Sequence, residues 1–260
     1  MIDIFSLPFM HAALYAGVLL GVLCSILGVH VVLQRRVFLS AAVSQVAAMG
    51  IALGFFFGWH PTLSSLLAIF LVLALLAGLM HARNAMTDAL LGVLYVGAFA
   101  VSILLMAKSA QGYEELQHLL QGNLLTLSDS HLVLLTALFV AVLTLFVLFH
   151  KELLFTSFDP YMAQTLGYSV RFWNLFFYFL VGLLISTGVQ TVGSLLIFGL
   201  LVVPPFTALS LARKFRTIYL LAGLIATLAV FIGLWLSFQF DLPSSPTIIA
   251  LLLEIGRAHV

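Results

Sequence analysis

The sequence predicts an all-α, polytopic membrane bundle of about eight full spans plus a truncated ninth. Three observations predict it. Hydrophobic residues make up 63% of the 260-residue chain and charged residues only 7%, against about 25% charged in an ordinary soluble chain. Apolar runs of about 20 residues, the length that crosses hydrocarbon, recur from end to end with short polar interruptions. The cations in those interruptions fall almost entirely on one side when the interruptions are counted alternately.

Phe9–Leu33 is the first span, closed by Gln34-Arg35-Arg36. No charge follows until Arg83, too far for one helix, and Gly58-Trp59-His60-Pro61 divides the run into spans near Phe38–Phe57 and Thr62–Met80. Trp59 suits an interfacial anchor. A polar loop, His81–Asp88, leads to the fourth span, Ala89–Ala107. Lys108–Ser130 is polar and carries Glu114, Glu115 and Asp129; His131–His150 is the fifth span. Phe172–Ala212 is again too long for one helix, and Ser186-Thr187-Gly188 is its expected break, giving spans six and seven. Arg213-Lys214-Phe215-Arg216 ends it, Ile218–Phe240 is the eighth span, and Asp241–Pro246 turns the chain into a ninth beginning at Thr247.

With the N-terminus outside, one set of loops holds Arg35, Arg36, Arg83, Lys151, Arg171, Arg213, Lys214 and Arg216, and the other holds only Lys108. Positive loops stay inside. The count puts Lys151–Arg171 in the cytoplasm and the Lys108–Ser130 and Asp241–Pro246 loops outside, as expected of a plasma-membrane protein. The single cysteine, Cys24, lies in a span, so no internal disulfide or cysteine metal cluster can form. The N-terminus lacks a basic region and an A-x-A site, so the first span is expected to remain. The last seven residues, Glu254–Val260, read EIGRAHV, the one-frame translation of a common sequencing adapter. The natural chain is expected to diverge after Leu253 and to continue as an apolar span.

Lys151–Arg171 is the best-formed polar interruption. Ser157-Phe158-Asp159-Pro160 reads as a helix start, with Asp159 as N-cap and Pro160 at the first position, where no N–H is needed. Gly167 stands where about two turns would end in a left-handed residue. A short, carefully capped surface helix between two spans suggests a docking handle for a soluble partner. Phosphate-loop, HExxH and GxSxG patterns are absent, so the chain carries no ATPase and no evident hydrolase chemistry. The spans hold no Asp, Glu, Lys or Arg at depth, which disfavours a gradient-driven carrier and favours a borrowed motor. The rival readings are an ATPase-independent secondary carrier or channel, and a non-transporting partner subunit.

Five segments carry a resemblance: LGVHVVLQRRVFLSAAVSQVAAMGIALG at Leu27–Gly54, DALLGVLYVGAFAVSILL at Asp88–Leu105, KELLFTSFDPYMAQTLG at Lys151–Gly167, VGSLLIFGLLVVPPFTA at Val192–Ala208 and DLPSSPT at Asp241–Thr247. In this order they resemble the membrane permeases of ABC importers for zinc, manganese and related divalent metals, the ZnuB type. The resemblance covers nearly all of Leu14–Leu253; residues 1–253 are expected to form one permease domain, and 254–260 a non-native adapter scar. It implies a dimer with a second permease subunit around a central pathway, set in membrane lipid. Two cytoplasmic ABC ATPase subunits would grip a coupling helix at Asp159, Pro160, Tyr161, Leu166 and Gly167. An extracytoplasmic metal-binding protein would deliver the cargo, with Glu114 and Glu115 as candidate contacts. The divalent metal is substrate, no bound cofactor is implied, and no nucleic acid is involved.

One departure stands out. The family carries Asp-x-x-x-His on the second span, two ligands on one helix face, where this chain has Ala41 and Gln45. Ala cannot ligate, and the Gln45 carbonyl oxygen and Ser44 hydroxyl are weak partners for zinc or manganese. Three explanations compete: other groups hold the ion, with His30, the one histidine well inside a span, foremost; the motif lies on an unlike partner subunit; or the cargo is a chelate. The remaining histidines sit at span ends without chelating spacing. Gly188, Gly193 and Gly199, with Ser186 and Ser194, suit close helix contact. Pro204-Pro205 should kink the seventh span. Ser245 replaces a glycine of the family's outer turn, which puts the turn in doubt if positive φ is needed there.

Overall fold

In a computed structural model of the chain, which describes residues 8–79, 84–108, 122 and 129–257, every element is helical. The helices are α1 (Pro8–Leu33), α2 (Val37–Phe57), α3 (Pro61–Leu79), α4 (Asn84–Met106), α5 (Asp129–Leu148), α6 (His150–Phe158), α7 (Pro160–Thr165), α8 (Val170–Val192), α9 (Ser194–Leu211), α10 (Phe215–Phe240) and α11 (Ser244–Arg257). The all-α reading therefore holds. Candidate spans are counted among the described residues. Six described helices are long and apolar enough to cross a membrane, and α5 with α6, bent by 69°, make a seventh if they are one span. α3 has 19 residues, about 28 Å at 1.5 Å per residue. α11 has 14 residues within the described range.

The chain forms two compact units. The first comprises residues 1–32, 118–140 and 188–260. Within it α9, α10 and α11 pack on one another. Small residues set their spacing: a Cβ on Gly233 would fall 2.9 Å from Ile248 Cα, and one on Gly199 would fall 3.2 Å from Ile249 Cγ1. The second comprises residues 33–117 and 141–187, with α2 packed against both α3 and α4. There a Cβ on Gly50 would lie 2.6 Å from Ser65 Cα, so glycine lets the two backbones approach.

The break between α8 and α9 lies at Gly193, not at Ser186–Gly188. Gly193 has φ 84° and ψ 159°, a region essentially closed to side-chain-bearing residues. Ser186-Thr187-Gly188 stays helical because its side chains do not compete with the helix. Thr187 Oγ1 donates back to Leu183 O at 3.1 Å, and Gly188 lies against Ile197, where a Cβ would clash. The carbonyl of Val192 accepts from Ser245 Oγ at 3.0 Å. Ser245 is thus a buried residue of α11, and the positive φ of the Asp241–Pro246 turn falls on Asp241, at 52°. The doubt over a non-glycine at 245 is resolved by that placement. α9 runs as one helix through Pro204 and Pro205. α11 continues helical through Glu254–Arg257, while residues 258–260 lie outside the described residues, as do Glu114, Glu115, His81 and His118.

Gly193→Ala is expected to destabilise the purified protein by about 1–3 kcal/mol, seen as a lowered unfolding midpoint in detergent. Gly92→Ala, on α4 with nothing within 4 Å of the added Cβ, is expected to leave it unchanged or raise it.

Candidate functional site

The stretch His150–Gly167 is built from two short helices rather than a loop followed by one. The expected polar loop at Lys151–Ser157 is helical, as α6. Its Leu153, Thr156 and Ser157 are buried, an i, i+3, i+4 stripe that only tertiary packing supplies. Asp159 then ends α6 and starts α7. A residue before proline is driven out of the helical region, and Asp159 has φ −136° and ψ 84°. Its Oδ1 accepts from the Met162 N–H at 2.9 Å, the N-cap expected from the sequence, with Pro160 at the first position. At the other end Gly167, at φ 86°, donates to Gln164 O at 3.0 Å while Tyr168 N donates to Ala163 O at 3.0 Å. This pair is the Schellman arrangement.

α7 is anchored by Ala163, fully buried, and presents Tyr161 (83% exposed), Met162 and Leu166 outward. The Tyr168 ring returns against Phe155 of α6 at 5.9 Å. A helix of six residues, fixed at both ends, thus offers an apolar tip flanked by the cations Lys151 and Arg171. Asp159, Pro160, Tyr161, Leu166 and Gly167 are all brought together here.

Behind α6 lies a polar network that the sequence reading missed. The Tyr178 hydroxyl donates to Gln34 Oε1 at 2.7 Å and accepts from Arg36 Nη1 at 2.6 Å. Gln34 Nε2 donates to Ser157 Oγ at 2.9 Å and approaches Asn174 Oδ1 at 3.4 Å. The α1–α2 turn, α6 and α8 are therefore joined through side chains. The turn itself is strained at Arg35, with φ 55°. The available signal was uncharged: Asn174 and Tyr178 stand at i and i+4 near the start of a span, one face of a helix.

The pathway candidates are placed as follows. Ser44 and Gln45 lie buried on α2, and Ser44 Oγ donates to Ala41 O of its own helix at 2.8 Å. Gln45 is 8% exposed, and its Oε1 has no hydrogen-bond partner among the described residues. Such an orphaned acceptor costs about 1–3 kcal/mol. His30 belongs to the first unit, is fully buried, and its Nε2 is 2.7 Å from the Tyr219 hydroxyl of α10. The rings stack at 6.0 Å. His30 is thus bonded to a side chain rather than standing open. No group of three or more His, Cys, Asp or Glu able to hold a metal occurs among the described residues.

The ABC 3 transport family matches residues 6–255. The chain belongs to that family. The resemblance to permeases of divalent-metal ABC importers is therefore borne out, and the permease takes its energy from hydrolysis in a separate ATPase subunit. The secondary-carrier reading lapses. An uncharacterized membrane protein from the ycf23-apcF intergenic region of Cyanophora paradoxa is 30% identical over 246 residues, 94% of this chain and 82% of the relative. A manganese transport system membrane protein, MntC, of Listeria innocua is 29% identical over 243 residues, 93% of this chain and 86% of the relative. Among solved structures, PsaBC from Streptococcus pneumoniae in complex with Fab shares the fold: TM-score 0.89, 24% identity, 98% of this chain and 92% of that one.

Tyr178→Phe removes the hydroxyl that both Gln34 and Arg36 use. It is expected to cost the permease about 1–3 kcal/mol, read as a lower thermal midpoint. Adding Gln34→Leu should recover part of the loss, because the stranded acceptor is then removed.

Proposed function

We propose that α7 is the coupling helix through which cytoplasmic ATPase subunits drive this permease, with Asp159, Pro160 and Gly167 shaping it and Tyr161 and Leu166 filling the motor's surface. The observation that carries this is the exposed apolar tip on a helix capped at both ends, between two spans and beside cations. Positive flanks belong inside, so α7 faces the cytoplasm and the N-terminus lies outside. An apolar patch outside the bilayer calls for a protein partner. Outside, a secreted binding protein delivers cargo, and a second permease subunit completes the pathway. The cargo is a divalent transition metal of the bacterial plasma membrane's import systems, manganese ahead of zinc, in keeping with the Listeria relative's name. Residues 1–253 are the permease domain, and Glu254–Val260 is foreign to it.

Within the pathway Gln45 is the leading candidate to touch the ion, because its buried oxygen has an acceptor to spare; Ser44 adds a hydroxyl, and His30 would first have to leave Tyr219. A neutral amide is a weak ligand for manganese or zinc, suited to passing an ion rather than holding it.

The test is transport by the reconstituted permease–ATPase complex. Asp159→Lys is expected to cut manganese uptake and coupled ATP hydrolysis at least tenfold, while the isolated ATPase is unaffected; wild-type uptake would sink the coupling role. Tyr168→Cys, 40% exposed, should react with impermeant maleimide from the inner side alone, since Cys24 is buried. Labelling from outside would invert the topology. Gln45→Ala should change uptake severalfold without altering the unfolding midpoint downward, and unchanged transport would remove Gln45 from the pathway.

A further inference from the structure

The second unit contains a cavity of about 210 Å³, bordered on one side by Gln164 of α7 and apart from the residues proposed for the metal pathway. Its polar lining comes from Arg36 on the α1–α2 turn, Gln164 on α7, and Arg171, Asn174 and Tyr178 on α8. Two of its ten lining residues are arginines and none is acidic. The rest of the wall is apolar, chiefly Leu39, Leu73 and Leu76. Arg36 is held in place by the Tyr178 hydroxyl at 2.6 Å, with its guanidinium carbon 5.7 Å from that ring's centroid. Arg171 is exposed at the mouth. The combination is specific: two fixed or fixable cations, amide donors, and a hydrocarbon wall on the same small space.

Its depth in the membrane is marked by the same helix. Arg171, Asn174, Leu175 and Tyr178 line the cavity at i, i+3, i+4 and i+7. The neighbouring stripe of α8 carries Phe172, Trp173 and Phe176, which cluster with Phe149: Trp173 lies 5.4 Å from Phe149 and 5.4 Å from Phe172. Phe172 is 59% exposed. Exposed aromatics with tryptophan mark the headgroup level. An arginine pair at that level, open beside the bilayer, meets phosphates before it meets anything else. Basic pockets between spans recognise anionic head groups by this chemistry, and arginine matches phosphate oxygens in bidentate geometry.

We infer that this cavity is a binding site for an anionic phospholipid, its phosphate between Arg36 and Arg171 and its glycerol and upper acyl carbons against Leu39, Leu73 and Leu76. A phosphodiester accepts from both guanidiniums and from the Asn174 and Gln164 amides. Phosphatidylcholine carries a quaternary ammonium into the same cationic space and is disfavoured by charge. The inference does not rest on α7 being a coupling helix or on the metal.

The experiment is native mass spectrometry of the full-length permease released from nanodiscs of phosphatidylglycerol or phosphatidylcholine. Wild type should retain one phosphatidylglycerol at least fivefold more often than phosphatidylcholine. Arg171→Gln should abolish that preference; Arg171→Lys should keep most of it, and Arg216→Gln, an equal charge loss in the other unit, should leave it intact. Equal retention of both lipids, or an equal loss in Arg216→Gln, overturns the site. Displacement of phosphatidylglycerol by millimolar inorganic phosphate would make it a free-anion site and overturn the lipid. Exclusion of lipid in the assembled permease–ATPase complex would make it a protein interface and do the same. Metal uptake by Arg171→Gln is a separate readout, and its loss alone leaves the lipid result standing.

Discussion

A chain immersed in hydrocarbon cannot leave a backbone carbonyl or N–H to water, and each unpaired group there costs several kcal/mol. The breaks in this permease's helices are arranged around that constraint. At Gly193 the helix stops, and the carbonyl of Val192 is taken by the Ser245 hydroxyl at 3.0 Å. At Pro205 the missing N–H frees the carbonyl of Leu201 four residues back. That carbonyl lies so close to Gly28 of α1 that no Cβ could be placed between them. The glycine at 28 thus lets α1 cover the carbonyl that Pro205 frees. At Asp159 the side chain supplies the acceptor that the α7 N-terminus lacks.

How much of this could be read from residues alone follows from the range of the interactions. Asp159, Pro160 and Gly167 were legible because capping is local: each residue's own stereochemistry dictates its place. The fold class was legible because composition decides it. The position of the α8–α9 break was not. Ser-Thr-Gly at 186–188 has the composition of a break, yet it remains helical, while Gly193 breaks because a serine 52 residues later, Ser245, closes the freed carbonyl. α6 was missed for the same reason. Lys151-Glu152 looks like loop, and only the burial of Leu153, Thr156 and Ser157 makes a helix of it.

The network around Tyr178 was illegible in a different way. None of its members is charged except Arg36, and each is unremarkable in isolation. A span end carrying Gln34, Asn174 and Tyr178 looks like ordinary interface. Packed, they make one phenol the junction of a turn and two helices, with a charge-assisted bond among them. The consequence is mechanical. Ser157 sits two residues before the cap of α7, and its hydroxyl is bonded to Gln34 at 2.9 Å. Gln34 leads into Arg36, the residue from which α2 starts. A displacement of α7 therefore has bonded groups to pull on before it reaches α2.

α2 itself carries Gln45 nine residues beyond Arg36, about 14 Å along a helix at 1.5 Å per residue. At that depth an ionised carboxylate costs about 2.5–3.5 kcal/mol even on the lower scale, whereas an amide carries no charge to desolvate. If Gln45 touches the ion as proposed, a Gln in place of a stronger ligand exchanges affinity for tolerance of the hydrocarbon. A neutral oxygen with one free acceptor cannot distinguish manganese from zinc by coordination, because the selectivity of metal sites comes from ligand type and geometry. On the proposed role of Gln45, discrimination between metals would fall to the place where the ion is first captured, and the membrane step would govern when the ion passes rather than which ion it is.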